Sequence, residues 1–229
     1  MGGTSQAAAP PLLSLTRSPS LAEQAADAIV TGIASGALRP GQRLVETELA
    51  SLLDMSRVPL REALRILEAQ GIVESTQYRG RHVTLFDDEK IDQICEARIA
   101  LERIALRGAV IAYRQNPERL AYLDRIIVRM EEAARRRSWL DINEADLAFH
   151  REICMMSGNT IVTTLWEGLA RHVLIVFGQE IRSEKDADVM APTHRRLLQL
   201  LAVGDIATLE NEIERHILRL RHGAKPGTG

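Results

Sequence analysis

Four residues in the second half of the chain have side chains suited to one task. Asp146 and His150 stand four apart in Asp146-Leu147-Ala148-Phe149-His150, so on a helix both project from one face. His194 and His216 follow in two further helical stretches. A carboxylate and three imidazoles form a donor set for a borderline divalent metal, zinc first, with nickel or manganese as alternatives. The same Asp-x-x-x-His pair also arises as a hydrogen bond on a helix surface, and spacing alone does not bring three helices together. A metal held this way could receive a small ligand, report the ion's own concentration, or activate water in a metalloenzyme. No motif places a general base beside these residues, which weighs against the enzyme.

A second chemistry is written in Asp54 to Glu74, DMSRVPLREALRILEAQGIVE. Arg57, Arg61 and Arg65 recur every four residues, forming a basic row uninterrupted by acid. Such a row usually just faces water, but it also suits insertion of a short helix into a DNA major groove. Ser56 is placed to cap that helix through its hydroxyl, and Pro59 is tolerated in the first turn. Leu60, Ala63, Leu64 and Leu67 supply its buried stripe. Gly71 ends it.

The elements around this helix favour the DNA reading. A first helix starts at Ser20, where Ser20 and Glu23 form a capping box. Its inner face is Leu21, Ala25, Ala28, Ile29 and Ile33, and Gly36 stops it. Gln42 to Leu53 reads as a second helix with Leu49, Leu52 and Leu53 inward. Ile72–Ser75 and His82–Leu85 are strand-like runs. Gln77-Tyr78-Arg79-Gly80-Arg81 joins them as a tight basic turn. The pattern is a helix-turn-helix followed by a β-wing.

From Leu85 onward no strand-like run remains. Asp87 or Asp88 caps a helix to about Tyr113. Asn116-Pro117 opens the next, Asn as cap, and Arg135-Arg136-Arg137 closes it. Further helices are expected at about 140–156, 160–181, 192–203 and 206–222. Gly158-Asn159, a polar loop at 182–188 and Gly204-Asp205 separate them. The predicted class is mainly α: an N-terminal winged helix-turn-helix (20–86) and an all-α helical bundle (87–222). Residues 1–19 and 223–229 are expected to be a disordered arm and tail.

Composition narrows the choice of partners. The 229 residues are 45% hydrophobic and 26% charged, with net charge near −2. DNA attraction therefore has to come from a local patch. Aromatics, at 3%, are too few for stacking on single strands. Cys95 and Cys154 form no disulfide framework, which fits a reducing, cytoplasmic setting. No apolar run approaches the ~20 residues that span a bilayer.

Residues Leu38-Arg39-Pro40-Gly41, Glu48-Leu49-Ala50, Ser56-Arg57-Val58-Pro59-Leu60-Arg61-Glu62-Ala63-Leu64, Leu67-Glu68, Gly71, Arg79-Gly80 and Val83 resemble the winged helix-turn-helix of GntR-family transcription regulators. The helical half is similar to the effector domain (FCD) of the FadR-type branch. That likeness rests on Arg98-x-x-Leu101-Glu102, Asp146-x-x-Phe149-His150, Ser157-Gly158-Asn159, His194-Arg195-x-Leu197-Leu198, Gly204-Asp205 and His216-Ile217. The resemblance implies a homodimeric, cytoplasmic regulator on double-stranded operator DNA, not an enzyme. Ser56, Arg57, Pro59, Arg61, Arg65, Arg79, Gly80 and Arg81 would form its DNA face. Asp146, His150, His194 and His216 would bind a metal whose coordination a small organic acid completes. Arg98, with Asn159 and His172, would stand near that effector. Thr47 departs from relatives that carry a DNA-contacting arginine in the second helix, so operator details do not transfer.

Overall fold

The computed structural model describes residues 19–76, 80–180 and 184–223; for 179, 180, 184–186 and 220–223 it describes the backbone alone. The winged half comprises α1 (Leu21–Ala34), β1 (Arg43–Leu44), α2 (Glu46–Leu52), α3 (Arg57–Ala69), β2 (Val73–Thr76) and β3 (Gly80–Val83). The helical half comprises α4 (Asp88–Gln115), α5 (Glu118–Arg135), α6 (Trp139–Met156), α7 (Thr160–Glu180), α8 (Glu184–Val203) and α9 (Ile206–Gly223).

The small sheet is antiparallel in the order β1-β3-β2, with Leu44 opposite Arg81 and Thr76 opposite Gly80. Leu60, Ala63, Leu64 and Leu67 of α3 are fully buried against Ile29, Val30 and Ile33 of α1 and Val73 and Val83 of the sheet. Ser20 Oγ accepts the Glu23 N–H at 3.1 Å and caps α1. Asp54 turns the chain between α2 and α3 at φ 47°, a left-handed conformation that Asp tolerates better than most residues.

Several local expectations need correction. Ser56 is the N-cap residue of α3, but its hydroxyl makes no cap hydrogen bond. Arg43–Leu44 is a strand, not helix, because β3 offers it a ladder that sequence periodicity does not reveal. Leu52 is exposed, since α2 ends there and packs through Leu49. Leu21 and Ala28 are also exposed, because α1 faces α3 and α7 through the stripe Ala22, Ala25, Ala26, Ile29 and Ile33. Asn116 is the C-cap of α4 and its side chain donates back to Ala112 O, so Pro117 caps α5. Pro192 does not open α8 but lies inside it. It is exposed, so water can reach the Asp188 carbonyl that proline leaves without a helical donor. The glycine stops hold better: Gly71, Gly158 and Gly204 sit at φ 70°, 69° and 78°.

The bundle core gathers Leu106, Leu123, Ile127, Phe149, Ile153, Trp166, Val173, Phe177, Leu197, Leu209, Ile213 and Ile217. One stretch departs from the hydropathy expectation. Thr160–Gly178 has the length and mean hydropathy, 1.3, to cross a membrane. In the fold it packs against α1, α4 and α6, as the central helix between the two halves. Ile175 of α7 is fully buried in the core of the winged half. Arg171 donates to Glu23 Oε2 at 2.5 Å, Asp27 Oδ1 at 3.0 Å and Gln70 Oε1 at 3.2 Å.

Candidate metal centre and nucleic-acid interface

Asp146, His150, His194 and His216 converge. Their ligand atoms all lie within 4.8 Å of one another, and all four residues are buried. α6 supplies Asp146 and His150 one turn apart, α8 supplies His194, and α9 supplies His216. Asp146 Oδ1 lies 3.0 Å from His194 Nε2, 3.5 Å from His150 Nε2 and 3.8 Å from His216 Nε2. His150 Nε2 and His216 Nε2 are 3.2 Å apart.

Neighbouring groups fix which nitrogens carry protons. His194 Nδ1 donates to Met190 O at 2.7 Å, so the neutral ring turns a lone pair on Nε2 toward Asp146. His150 Nδ1 donates to Glu102 Oε2 at 2.6 Å, which likewise bares its Nε2. Asp146 Oδ1 and His194 Nε2 have no hydrogen-bond partner although they are buried. Two acceptors 3.0 Å apart repel each other unless a cation lies between or beside them. The donor set therefore fits a divalent metal, and each of the two anchored histidines has the outer hydrogen bond common among metal-ligating imidazoles.

Charge is distributed to match. Burial disfavours the ionised Asp146 carboxylate, yet Arg98 and His150 hold it well below the usual carboxylate range. Burial also opposes the Glu102 carboxylate, but His150 and Arg98 outweigh it and bring its pKa to about 2. Burial pushes His194 down, and burial together with His194 pushes His216 well below an ordinary imidazole, which keeps both rings available as ligands. For His150 burial acts downward, but Glu102 wins and raises it.

The family resemblance set Arg98 near an effector; in the fold it lies beside the centre and also pairs with Glu102, four residues on along α4. Its Nε donates to Glu102 Oε1 at 2.7 Å and its Nη2 to Asp146 Oδ2 at 3.3 Å, with the guanidinium 4.6 Å from the Phe177 ring centre. Arg98 thus spends two donors on the centre's own carboxylates. Asn159 is elsewhere: exposed at the start of α7, its Oδ1 accepts the Val162 N–H at 3.1 Å. His172 is also apart from the centre. Its Nε2 lies 2.9 Å from Gln70 O, between the two halves, with its ring edge-on to Phe86. Glu102 and Trp166, whose Nε1 donates to Glu102 at 3.2 Å, are outer-layer residues that sequence reasoning missed. Glu102 was visible as the i+4 neighbour of Arg98; nothing in the sequence pointed to Trp166.

On the other face, Ser56, Arg57, Arg61 and Arg65 are all exposed along α3 and Pro59 is its third residue. The row is not free of acid as the sequence suggested. Arg65 Nη1 lies 3.4 Å from Glu62, and Arg61 Nε donates to Glu46 at 2.8 Å. Gly80 opens β3 at φ 81°. Arg81 is drawn inward, bonded to Glu46 at 2.8 Å and 3.5 Å from Glu68. Arg79 lies outside the described residues. Arg43, exposed on β1 with its guanidinium against Gly80, joins this face and was concealed by the missed strand.

Comparison with known proteins follows the same division. Residues 93–219 match the FCD domain and residues 21–83 match the bacterial regulatory proteins of the gntR family. A probable D-xylose utilization operon transcriptional repressor of Paenarthrobacter nicotinovorans is 30% identical over 203 residues, 89% of this chain and 88% of its own. The uncharacterized HTH-type regulator YcbG of Bacillus subtilis (strain 168) is 30% identical over 220 residues, 88% of each. The fold is shared with E. coli McbR/YncC, at TM-score 0.74 and 24% identity over 90% of this chain and 99% of that one. A putative GntR regulator from Rhodococcus sp. RHA1 gives TM-score 0.73 and 20% identity over 89% and 99%.

Proposed function

Because the chain belongs to the gntR family of DNA-binding transcriptional regulators and carries that family's FCD domain, we propose that it is a ligand-responsive regulator whose operator affinity is set at the Asp146/His150/His194/His216 centre. Its relatives are regulators and not enzymes, so the metalloenzyme alternative is set aside. The supporting observation is the buried convergence of four metal-type donors, two of them 3.0 Å apart with no proton donor between them. A divalent metal, zinc by donor type with nickel or manganese as alternatives, would be held by these four residues. A small organic acid would complete its coordination, and Arg98 would favour negative charge nearby.

The route from centre to DNA is α7. Trp166 on this helix bonds Glu102, which bonds His150, while Arg171, His172 and Ile175 lie against the winged half. A change in occupancy that shifts α7 would alter how α3 is presented. Coupling of ~1–3 kcal/mol would change operator affinity by roughly 5- to 150-fold. Two copies would read a near-palindromic operator in the cytoplasm. Exposed Ile104 and Ile111 on α4, Met155 at the end of α6, and Ile161 and Leu165 on α7 offer an apolar face for that pairing.

The test is a thermal-shift screen of small mono- and dicarboxylic acids on metal-loaded and chelator-stripped protein in parallel. An acid at a hundred times its Kd should stabilise the loaded form alone by ~2.7 kcal/mol. If metal stabilises and no acid does, the ion is structural or is itself the signal, and the organic-acid reading fails.

A further inference from the structure

Glu46 opens α2, two residues after β1, and its carboxylate reaches both elements of the DNA face. Oε2 accepts Arg61 Nε of α3 at 2.8 Å, and Oε1 accepts Arg81 Nη1 of β3 at 2.8 Å. Its side chain is 27% exposed and that of Arg81 22%, against 56% for Arg61. The wing arginine is therefore tucked behind the acid while the helix arginine stands in front of it. Arg61 and Arg81 together hold the Glu46 carboxylate below its ordinary range.

An acid on a phosphate-facing surface weakens attraction to any DNA. It also restricts what the arginines can do. Arg61 bonds Glu46 through Nε, which leaves the Nη1/Nη2 fork outside that bond on an exposed side chain. That fork is the part of arginine that pairs with guanine O6 and N7 in the major groove. An untethered arginine would settle on the nearest phosphate oxygen instead, which carries no sequence information. Arg81, bonded by Glu46 and lying 3.5 Å from Glu68, is kept from the same collapse.

We propose that Glu46 is a positioning residue for sequence discrimination: a clasp that orients Arg61 toward base edges, sets the wing against the recognition helix through Arg81, and withholds both arginines from unmatched DNA. This rests on the reading that α3 enters the groove.

The wild-type full chain is first used to select a duplex from a random library. Affinities of wild type and Glu46→Gln are then measured for that duplex and for a scrambled duplex of equal composition, across a salt titration. The clasp predicts opposite movements. Glu46→Gln should bind the selected duplex about tenfold more weakly and the scrambled duplex as well or better. Its salt dependence on the scrambled duplex should be steeper by about one phosphate contact. Glu46→Asp, too short to bridge both arginines, carries the same expectation should the first variant not fold. An unchanged ratio between the duplexes, or an equal fall on both, overturns the inference. If the wild type selects no sequence at all, the groove-facing reading of α3 fails, and the clasp with it.

Discussion

His194 is prepared for its role by a single backbone bond. Met190 O takes the Nδ1 proton, burial keeps the ring neutral, and Nε2 is left facing Asp146. His150 is prepared differently, by Glu102, whose pKa of about 2 keeps it an acceptor across the working pH range. Glu102→Gln should therefore fold and still bind metal, with affinity lowered roughly 10–100-fold, read by competition with a chromophoric chelator. The pH dependence has a definite sign. His194 and His216 have lowered folded pKa values, so the unfolded chain takes up their protons first as pH falls. Their stabilising contribution is complete above the unfolded value, about 6.5, and declines below it. His150, raised, acts in the opposite sense: its contribution is full below that value and is lost as pH rises. Metal binding then releases protons mainly from His150. Calorimetry in buffers of different ionisation enthalpy should show release that grows from pH 7 toward 6; buffer-independent heats would contradict it. The quartet itself was legible, as an i,i+4 pair plus two residues fixed by family resemblance. Their outer partners were less so: Glu102 was visible only as the i+4 neighbour of Arg98 and not as the partner of His150, and Trp166 not at all, because an outer partner is defined by which helices meet rather than by spacing.

At the scale of elements, α7 is tied to both halves and its contacts are the ones to cut. Arg171 spans Glu23, Asp27 and Gln70, with the two acids 45% and 64% exposed. Arg171→Ala should lower stability by only about 1–2 kcal/mol after allowance for solvent screening, yet change the response of DNA binding to metal. Denaturant unfolding and DNA titration on the same protein would check both; a loss of fold with no change in response would contradict the route through α7. Gly178 is a tighter point. A Cβ there would stand 2.7 Å from Asn143 Nδ2 and 3.0 Å from Ala34 Cβ, so Gly178→Ala should push α7 and α1 apart and lower the melting temperature more than Arg171→Ala does. Helix caps were readable in advance at Ser20 and Asp87, where a side-chain oxygen meets a first-turn N–H. Proline and asparagine misled at Pro192 and Asn116, because both residues act in more than one position and tertiary packing chose. β1 was illegible because a two-residue strand exists only through its partner β3.

The whole molecule carries its two chemistries on separate units, a basic α3 face outward and a buried acid–imidazole centre inside the bundle. A near-neutral chain that binds DNA needs a local patch of positive charge, and the exposed Arg57, Arg61 and Arg65 of α3 are the candidates for it. If two copies pair through the α4 and α7 apolar face, Leu165→Arg should shift sedimentation from dimer to monomer and weaken operator binding at least tenfold while leaving the helical content intact. A dimer that persists would place pairing elsewhere. The most direct test of the account is operator affinity itself, measured by fluorescence anisotropy on one selected duplex with chelator-stripped and metal-reloaded protein, wild type beside His216→Ala. Wild type should differ severalfold or more between the two states, and His216→Ala should not. Equal affinity of stripped and reloaded wild type would mean that the Asp146/His150/His194/His216 centre does not govern DNA binding.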